Sequence, residues 1–335
     1  DLSSASLWQI VAGDEYSLCL FDGRFHVTVL LNYSSAYCML FKMIWILLTI
    51  FAAFMQSWRN ALQSKLSTHV SIAGVTLARF IMASPIAGLY LYALYYYQDA
   101  PFPSFNPLFI SYIIGASIVQ IIATGLMVKL FKMNNFAVGA GLAKSEALMA
   151  AILGLLFFGS TLSLLGWFGV FIGAIAVLLL SGIANVKHFS LKTALTGLAC
   201  GTSFALSSSW IREASLSSGI AFPYAPAWVL LLVISLQTLM LCIYIALKER
   251  DTFKTMFQHK GMTCTVSIFS CLGSIGWFSA MSLQHVAYVK TLGQIEVFFT
   301  ILIAVLWLKQ PLKRQDSAGL LLIAVAAILV MLPSS

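Results

Sequence analysis

Residues 136–180, FAVGAGLAKSEALMAAILGLLFFGSTLSLLGWFGVFIGAIAVLLL, predict a repeated fold, because they have a counterpart at residues 286–330, VAYVKTLGQIEVFFTILIAVLWLKQPLKRQDSAGLLLIAVAAILV. Aligned without a gap, the two runs place Glu146 over Glu296 in the middle of apolar sequence. Leucine and alanine often match by chance in such sequence, since few residue types are used. A matched glutamate rarely arises by chance, because a charge at the centre of a membrane helix costs about 2.5–3.5 kcal/mol. The pair therefore indicates an internal repeat.

The same register holds outside the two runs. It pairs Ser117 with Ser267 and Phe54 with Phe204. Each copy contains five apolar stretches, and five is an odd number of crossings. The second copy must therefore enter a membrane from the side opposite to the first, as in the inverted repeats of secondary transporters.

The composition excludes a water-soluble protein. Of 335 residues, 60% are hydrophobic and only 9% are charged, whereas soluble domains draw roughly a quarter of their residues from Asp, Glu, Lys and Arg. The net charge of +8 is typical of basic loops on the cytoplasmic side of a membrane and does not indicate nucleic-acid binding. The six cysteines form no close CxxC pair, so neither a metal site nor a disulfide framework is predicted.

The predicted fold is an all-α integral membrane protein with ten transmembrane helices in two inverted five-helix repeats. Residues 1–42 are assigned to an N-terminal tail or extension, residues 43–187 to the first repeat and residues 193–335 to the second. Each span needs about 20 apolar residues. The predicted spans begin near Met43, Val70, Pro107, Phe136, Leu162, Thr193, Ala225, Met262, Val286 and Ala318.

Lysine and arginine are concentrated in the loops after the odd-numbered spans. The loops after spans 2, 4 and 8 contain none. By the positive-inside rule, the basic loops are cytoplasmic and both termini lie outside.

Four segments resemble the EamA-type branch of the drug/metabolite transporter superfamily. They are SWRNALQSKLS (57–67), LARFIMAS (77–84), LAKSEALMAAILGLLFFG (142–159) and VKTLGQIEVFFTILIAVLWLKQPL (289–312). The resemblance covers roughly residues 43–333 and implies ten helices in two halves. It also implies a central cavity lined by helices 1, 3, 4, 6, 8 and 9, with helices 5 and 10 outside it. Ser160 and Gln310 stand where family members commonly carry an acid.

Glu146 and Glu296 are the leading site residues. They occupy equivalent places in the two halves, so we expect them at similar depth, facing a shared cavity. Burial and nearby cations tune a carboxylate in opposite directions, so such a glutamate can bind a proton, a cationic substrate, or each in turn. The alternative is that each glutamate pairs permanently with a lysine or arginine and only holds helices together.

Two lysines break the symmetry of the repeat, because Gln294 stands opposite Lys144 and Ala140 opposite Lys290. Lys144 is about 200° around its helix from Glu146, and Lys290 about 120° from Glu296. Neither lysine can pair comfortably with the glutamate on its own helix. A cavity lysine would favour a substrate with a carboxylate or phosphate; a lysine that extends to the membrane surface is the alternative.

Arg59 and Arg212, near the ends of helices 1 and 6, are predicted gating residues or end-of-helix charges. Arg79 in helix 2 is interpreted as an anchor at the cytoplasmic surface. Four further side chains are predicted to bind substrate at the cavity wall: Gln120, Phe204, Trp277 and Tyr288. Aromatic residues at helical spacing are also common in plain packing.

Glycine pairs in several helices allow close helix contact. Gly273 and Gly276 in helix 8 are interpreted as packing within the chain. Gly169 and Gly173 in helix 5 could instead serve a dimer, so a monomer or weak homodimer is expected.

The predicted function is a secondary active transporter, an exporter of a small organic metabolite such as an amino acid or drug-like compound. It works by alternating access, coupled to protons or driven by exchange, in the cell (inner) membrane. No enzyme activity, cofactor, metal or nucleic acid is expected; the partners are the small-molecule substrate, the lipid bilayer and protons. An enzyme using the paired glutamates would need a His or Asp cluster, and a channel would need repeated polar faces on several helices.

Overall fold

The computed structural model describes residues 27–97, 100–133, 146–157, 163–180 and 191–306, with scattered positions between 318 and 329; side chains are described from residue 43 onward. Across these residues the chain is helical and contains no strand. The helices are α1 (Val27–Leu66), α2 (Ile72–Ala78), α3 (Ala83–Tyr97), α4 (Pro107–Met133), α5 (Glu146–Phe157), α6 (Leu164–Leu180), α7 (Leu191–Ser217), α8 (Tyr224–Lys248), α9 (Asp251–Gln258), α10 (Lys260–Leu283), α11 (Val286–Leu292) and α12 (Glu296–Leu306).

Several of these helices make the chain an α-helical, membrane-embedded protein. Within the described part of the chain, five segments are long and apolar enough to cross a bilayer: Ile72–Tyr97, Pro107–Lys132, Tyr224–Lys248, Lys260–Leu283 and Val286–Ile303. The helix Leu164–Ala176 is apolar but shorter. These segments begin where the sequence places the second, third, seventh, eighth, ninth and fifth spans, to within two residues. The beginning of the predicted fourth span and most of the tenth lie outside the described residues.

The first helix differs from its prediction. The sequence places its beginning near Met43, but α1 begins at Val27 and contains 40 residues. Residues 27–42, which were assigned to the tail, are therefore helical and continuous with the first span. At 1.5 Å per residue the helix is about 60 Å long, which is about twice the thickness of a hydrocarbon core.

The second span is broken between α2 and α3. Pro85 has no N–H, so it cannot continue a helical ladder. Ser267 on α10 bridges the break: its hydroxyl donates to the Ala78 carbonyl oxygen at 2.6 Å and accepts from the Met82 N–H at 3.2 Å. Thr238 on α8 donates to the Phe80 carbonyl oxygen at 3.2 Å. Ser267 thus satisfies two backbone groups at the break, as an apolar surrounding requires, and Thr238 adds a bond to a carbonyl that already accepts from Ala83 and Ser84.

The ninth span is also irregular. Between α11 and α12 the chain forms one 3₁₀ turn, Gly293–Ile295, a feature often found at hinges. Gly293 lies against the ring of Trp277, where a Cβ would have no room. The turn lies between Lys290 and Glu296, so the two charged side chains belong to different helical segments.

Contacts between loops define two ends of the molecule. At one, here called the basic end, the Ser71 and Thr252 hydroxyls are 3.1 Å apart, and the Lys132 ammonium donates to the Val70 carbonyl oxygen at 3.1 Å. At the other, here called the opposite end, the Ser104 N–H donates to the Ser218 carbonyl oxygen at 2.9 Å. The loops after α1 and α8 therefore share the basic end, and those after α3 and α7 share the opposite end.

The directions of two helices follow from these contacts. Helix α1 ends at Leu66, beside the basic end, whereas α7 ends at Ser217, at the opposite end. The two helices therefore run in opposite directions through the protein.

Two helix pairs form the largest interfaces: α1 packs on α10, and α4 packs on α7. A glycine lies at each interface. A Cβ on Gly276 would be 2.8 Å from the Leu48 carbonyl oxygen, and one on Gly115 would be 2.8 Å from the Trp210 ring. Gly276 thus serves packing within the chain, as predicted. Gly173 on α6 likewise faces Gln294 of the same chain, where a Cβ would be 2.5 Å from the side-chain oxygen.

Candidate functional site

A small polar cavity lies among α1, the break after α2, α4, α5, α7, α10 and α11. Its volume is about 40 Å³, room for about three water molecules. Its walls combine charged, amide and aromatic side chains. The lining residues are Gln56, Arg59, Asn60, Arg79, Gln120, Met127, Phe131, Glu146, Phe204, Ser208, Ser274, Trp277, Phe278, Met281 and Lys290.

Glu296 lies just behind the cavity wall and is bound by α1. Asn60 donates to one carboxylate oxygen at 2.7 Å, and Gln56 donates to the other at 2.6 Å. The indole N–H of Trp277 donates to the Gln56 side-chain oxygen at 2.9 Å, which fixes the direction of the amide. Glu296 is 2% exposed, so two neutral amides replace the water that would otherwise solvate its charge.

Glu146 begins α5 and is bound by two other helices. The ammonium of Lys290 lies 2.9 Å from one carboxylate oxygen, and the Ser208 hydroxyl donates to the same oxygen at 3.1 Å. The ammonium also lies 4.2 Å from the centre of the Trp277 ring, a favourable position for a cation. The ion pair joins the fourth predicted span to the ninth.

Two arginines complete the charged lining. Arg59 is 2% exposed and donates through Nε and one terminal nitrogen to the Asn60 side-chain oxygen, at 3.2 and 2.8 Å. Arg79 is 4% exposed and donates to the Thr124 hydroxyl at 2.7 Å. Its guanidinium carbon lies 5.9 Å from the centre of the Phe204 ring.

The structure brings together most of the predicted site residues. Glu146, Lys290 and Arg59 line one cavity, and so do Gln120, Phe204 and Trp277. Gln120 accepts a hydrogen bond from Gln237 of α8 at 2.7 Å. Glu296 is bound by Gln56 and Asn60, which do line the cavity. Lys144 lies outside the described residues.

Two predicted residues lie elsewhere. The Tyr288 hydroxyl accepts from the Ser163 N–H at 3.3 Å, beside α6, and does not line the cavity. Arg212 donates to the carbonyl oxygens of Met281 and Gln284 at 2.7 and 2.8 Å. It thereby binds the last carbonyls of α10, an interaction typical of basic residues at helix C-termini.

Two interpretations of arginines need correction. Arg79 was interpreted as a surface anchor, but it lies at the break after α2 and lines the cavity. Arg59 lies two turns before the end of α1, near the helix end as predicted, but its guanidinium is buried and lines the cavity and is not an exposed end-of-helix charge. In both cases the charged group is directed into the protein because a polar cavity is available there.

Gln56 and Asn60 were not predicted. One signal was available: they are four residues apart, so they share a helix face, and Arg59 adjoins that face. Amides attract little notice beside charged groups, although here they hold the Glu296 carboxylate. Among the described residues no group of three His, Cys, Asp or Glu side chains could hold a metal ion.

Comparison with known proteins supports the fold alone. No protein-family model matches the chain, and no curated protein matches it. A solved structure described as "Crystal structure of protein" has a TM-score of 0.63 and covers 86% of this chain and 96% of that chain at 14% identity. At that identity the likeness concerns the path of the backbone and does not extend to a substrate.

Proposed function

We propose that the chain is a secondary active transporter of a small organic metabolite, a multi-pass protein of the cell membrane that works by alternating access. Its ten spans form two inverted five-helix repeats of the EamA-like kind that the sequence resembles. Export is the direction we favour, coupled to protons or driven by exchange with a second solute.

One observation carries the proposal: each of the two matched glutamates is bound by the first helix of the other half. Glu296, in the second half, is held by Gln56 and Asn60 of α1. Glu146, in the first half, accepts from Ser208 of α7. In each case the glutamate of one half is bound by the first helix of the other half. A pseudo-two-fold axis through the site would relate the two sets of contacts in this way.

The same pseudo-two-fold axis would relate other contacts. It would relate the packing of α1 on α10 to the packing of α7 on α4. Ser267 donates to a backbone carbonyl oxygen of α2. Its counterpart Ser117 donates to the Ile113 carbonyl oxygen at 2.7 Å and lies 3.4 Å from the Val233 carbonyl oxygen of α8. The antiparallel directions of α1 and α7 support the inversion. Two nearly equivalent halves make inward-open and outward-open forms close in energy.

A flux assay in proteoliposomes tests this function. Liposomes with the purified chain are exposed to a mixture of amino acids, organic acids and amines, and solute entry is measured by mass spectrometry at several pH values. We expect uptake of at least one solute class above that of protein-free liposomes, and loss of most of it in Glu146→Gln and Glu296→Gln.

Asp251→Asn is the matched control, since Asp251 is an exposed carboxylate at the beginning of α9, outside the cavity. It should transport as the parent does. If both cavity variants keep full uptake with an unchanged pH dependence, the two glutamates are structural. Absence of flux for every solute class would contradict the transporter itself.

A further inference from the structure

The charges around the cavity do not balance. Among the described residues, three cationic side chains line it, those of Arg59, Arg79 and Lys290, against one carboxylate, Glu146, with Glu296 behind the wall. Lys290 is paired with Glu146, and Gln56 and Asn60 each donate to one oxygen of Glu296. With both glutamates ionised, these five side chains leave one positive charge in excess.

The excess resides on the two arginines. Within the described residues, neither guanidinium forms an ion pair with a carboxylate: Arg59 donates to the Asn60 amide oxygen and Arg79 to the Thr124 hydroxyl. The buried Nε of Arg79 has no hydrogen-bond partner there. A buried charge without a counter-charge is unfavourable, and inside a membrane such a charge marks a solute pathway.

The chemistry of the two groups defines a ligand. A guanidinium offers a planar fork of N–H donors that matches a carboxylate or phosphate. Aromatic side chains lie beside the arginines: Phe204 contacts Arg79, and Phe131 and Trp277 line the same cavity. The site therefore offers cationic donors for an anionic group and ring faces for an apolar body.

We propose that the transported substrate is an organic anion, a carboxylate or phosphate ester with an apolar or aromatic body. Its anionic group lies between Arg59 and Arg79 and takes the open Nε–H of Arg79. This assignment rests on the proposed transport function. A space for about three water molecules accommodates the anionic group, so this conformation must widen to admit the body.

Substrates of other charge fit the cavity poorly. An organic cation would meet three like charges, and Lys290 already occupies Glu146. A neutral solute could accept from the Arg79 Nε–H, but it would leave the excess positive charge without a counter-charge. Only an anion removes the excess charge.

Ligand-induced stabilisation of the purified full chain tests the assignment. The probes share one aromatic body: 3-phenylpropionate, phenyl phosphate, 3-phenylpropanamide and 3-phenylpropylamine. We expect the carboxylate or the phosphate to raise the melting temperature by about 3–5 °C at one hundred times its Kd, with no shift for the amide or the amine. Equal shifts for acid and amide, a shift for the amine, or no shift for either anion would overturn the proposal.

Arg79→Gln locates the site, because it keeps a polar side chain and removes the charge. The anion-induced shift should disappear in this variant and persist in Arg250→Gln, a control at an exposed arginine outside the cavity. Arg79→Lys, which keeps the charge without the fork, should retain part of the shift. A full shift in Arg79→Gln overturns the proposal. If that variant does not fold, the comparison of the four probes on the parent chain decides.

The proposed function and this assignment can fail separately. Flux of an amine or a neutral solute that is unchanged in Arg79→Gln would support transport and contradict the anion site. An anion-induced shift that requires Arg79, without flux of any solute, would support the site and contradict transport.

Discussion

At the scale of single residues, two carboxylates in matched sequence positions have different surroundings. Glu146 is neutralised by the Lys290 ammonium, whereas Glu296 is held by the side-chain amides of Gln56 and Asn60. An ammonium ion pair and amide hydrogen bonds stabilise a carboxylate in different ways. The two matched glutamates therefore differ in the groups that bind them.

Replacing one member of the Glu146–Lys290 pair should cost more than replacing both. Lys290→Met removes the ammonium that lies 2.9 Å from the Glu146 carboxylate, whose side chain is 12% exposed, so the loss should approach the cost of breaking a buried pair, about 3–5 kcal/mol. The double variant Lys290→Met with Glu146→Gln removes both charges, so it should recover most of that loss. The measurement is the melting temperature of the single and double variants. A double variant whose loss equals the sum of the single losses would show that the pair contributes no coupling.

At the scale of the element, the broken second span depends on side chains from other helices. Ser267 serves two backbone groups at once, the Ala78 carbonyl and the Met82 N–H. The break also places Arg79 at the cavity, because it follows the last residue of α2. Stability of the break and position of the arginine are thus linked.

Ser267→Ala should therefore destabilise the protein by about 1–3 kcal/mol, since a buried acceptor and a buried donor lose their shared partner. Ser282→Ala on the same helix is the control, because that hydroxyl donates only to the Ser279 carbonyl oxygen at 2.8 Å, within α10. Denaturation of both variants gives the comparison. Equal stability of the two would mean that Ser267 is dispensable for the break.

At the scale of the whole molecule, the proposed mechanism requires the two ends to open in turn. At the basic end Ser71 contacts Thr252, and their hydroxyl oxygens are 3.1 Å apart. In the proposed mechanism this contact belongs to the form in which the basic end is closed. Separation at the basic end is then part of each transport cycle.

A cross-link at the basic end should stop transport. The variant Ser71→Cys with Thr252→Cys brings two thiols close enough for a disulfide, and oxidation should lower uptake at least about tenfold by removing one of the two states. Reduction should restore uptake, and either single-cysteine variant should be insensitive to oxidant. Full uptake by completely cross-linked protein would show that this end does not separate.

Much of the molecule could be predicted from its residues. The low charge content and high hydropathy indicate that the chain lies in a membrane. The lengths of the apolar runs predict the helix starts near residues 70, 107, 162 and 286. The same reasoning places α1 too late, because residues 27–42 mix polar and apolar side chains and a helix continues through them all the same. The local pattern predicts where a span fits and not where its helix begins.

The amino-acid sequence establishes that the chain is helical and membrane-embedded, that it carries a glutamate at two matched positions, and that the charges inside apolar spans are costly to expose to lipid. The packing of the helices sets which groups meet: Glu296 binds Asn60, Glu146 binds Lys290, and the Nε–H of Arg79 is left open at the cavity. These two kinds of information differ because burial depends on composition along one helix. A partner depends on the distance between helices far apart in the chain, and packing alone sets that distance.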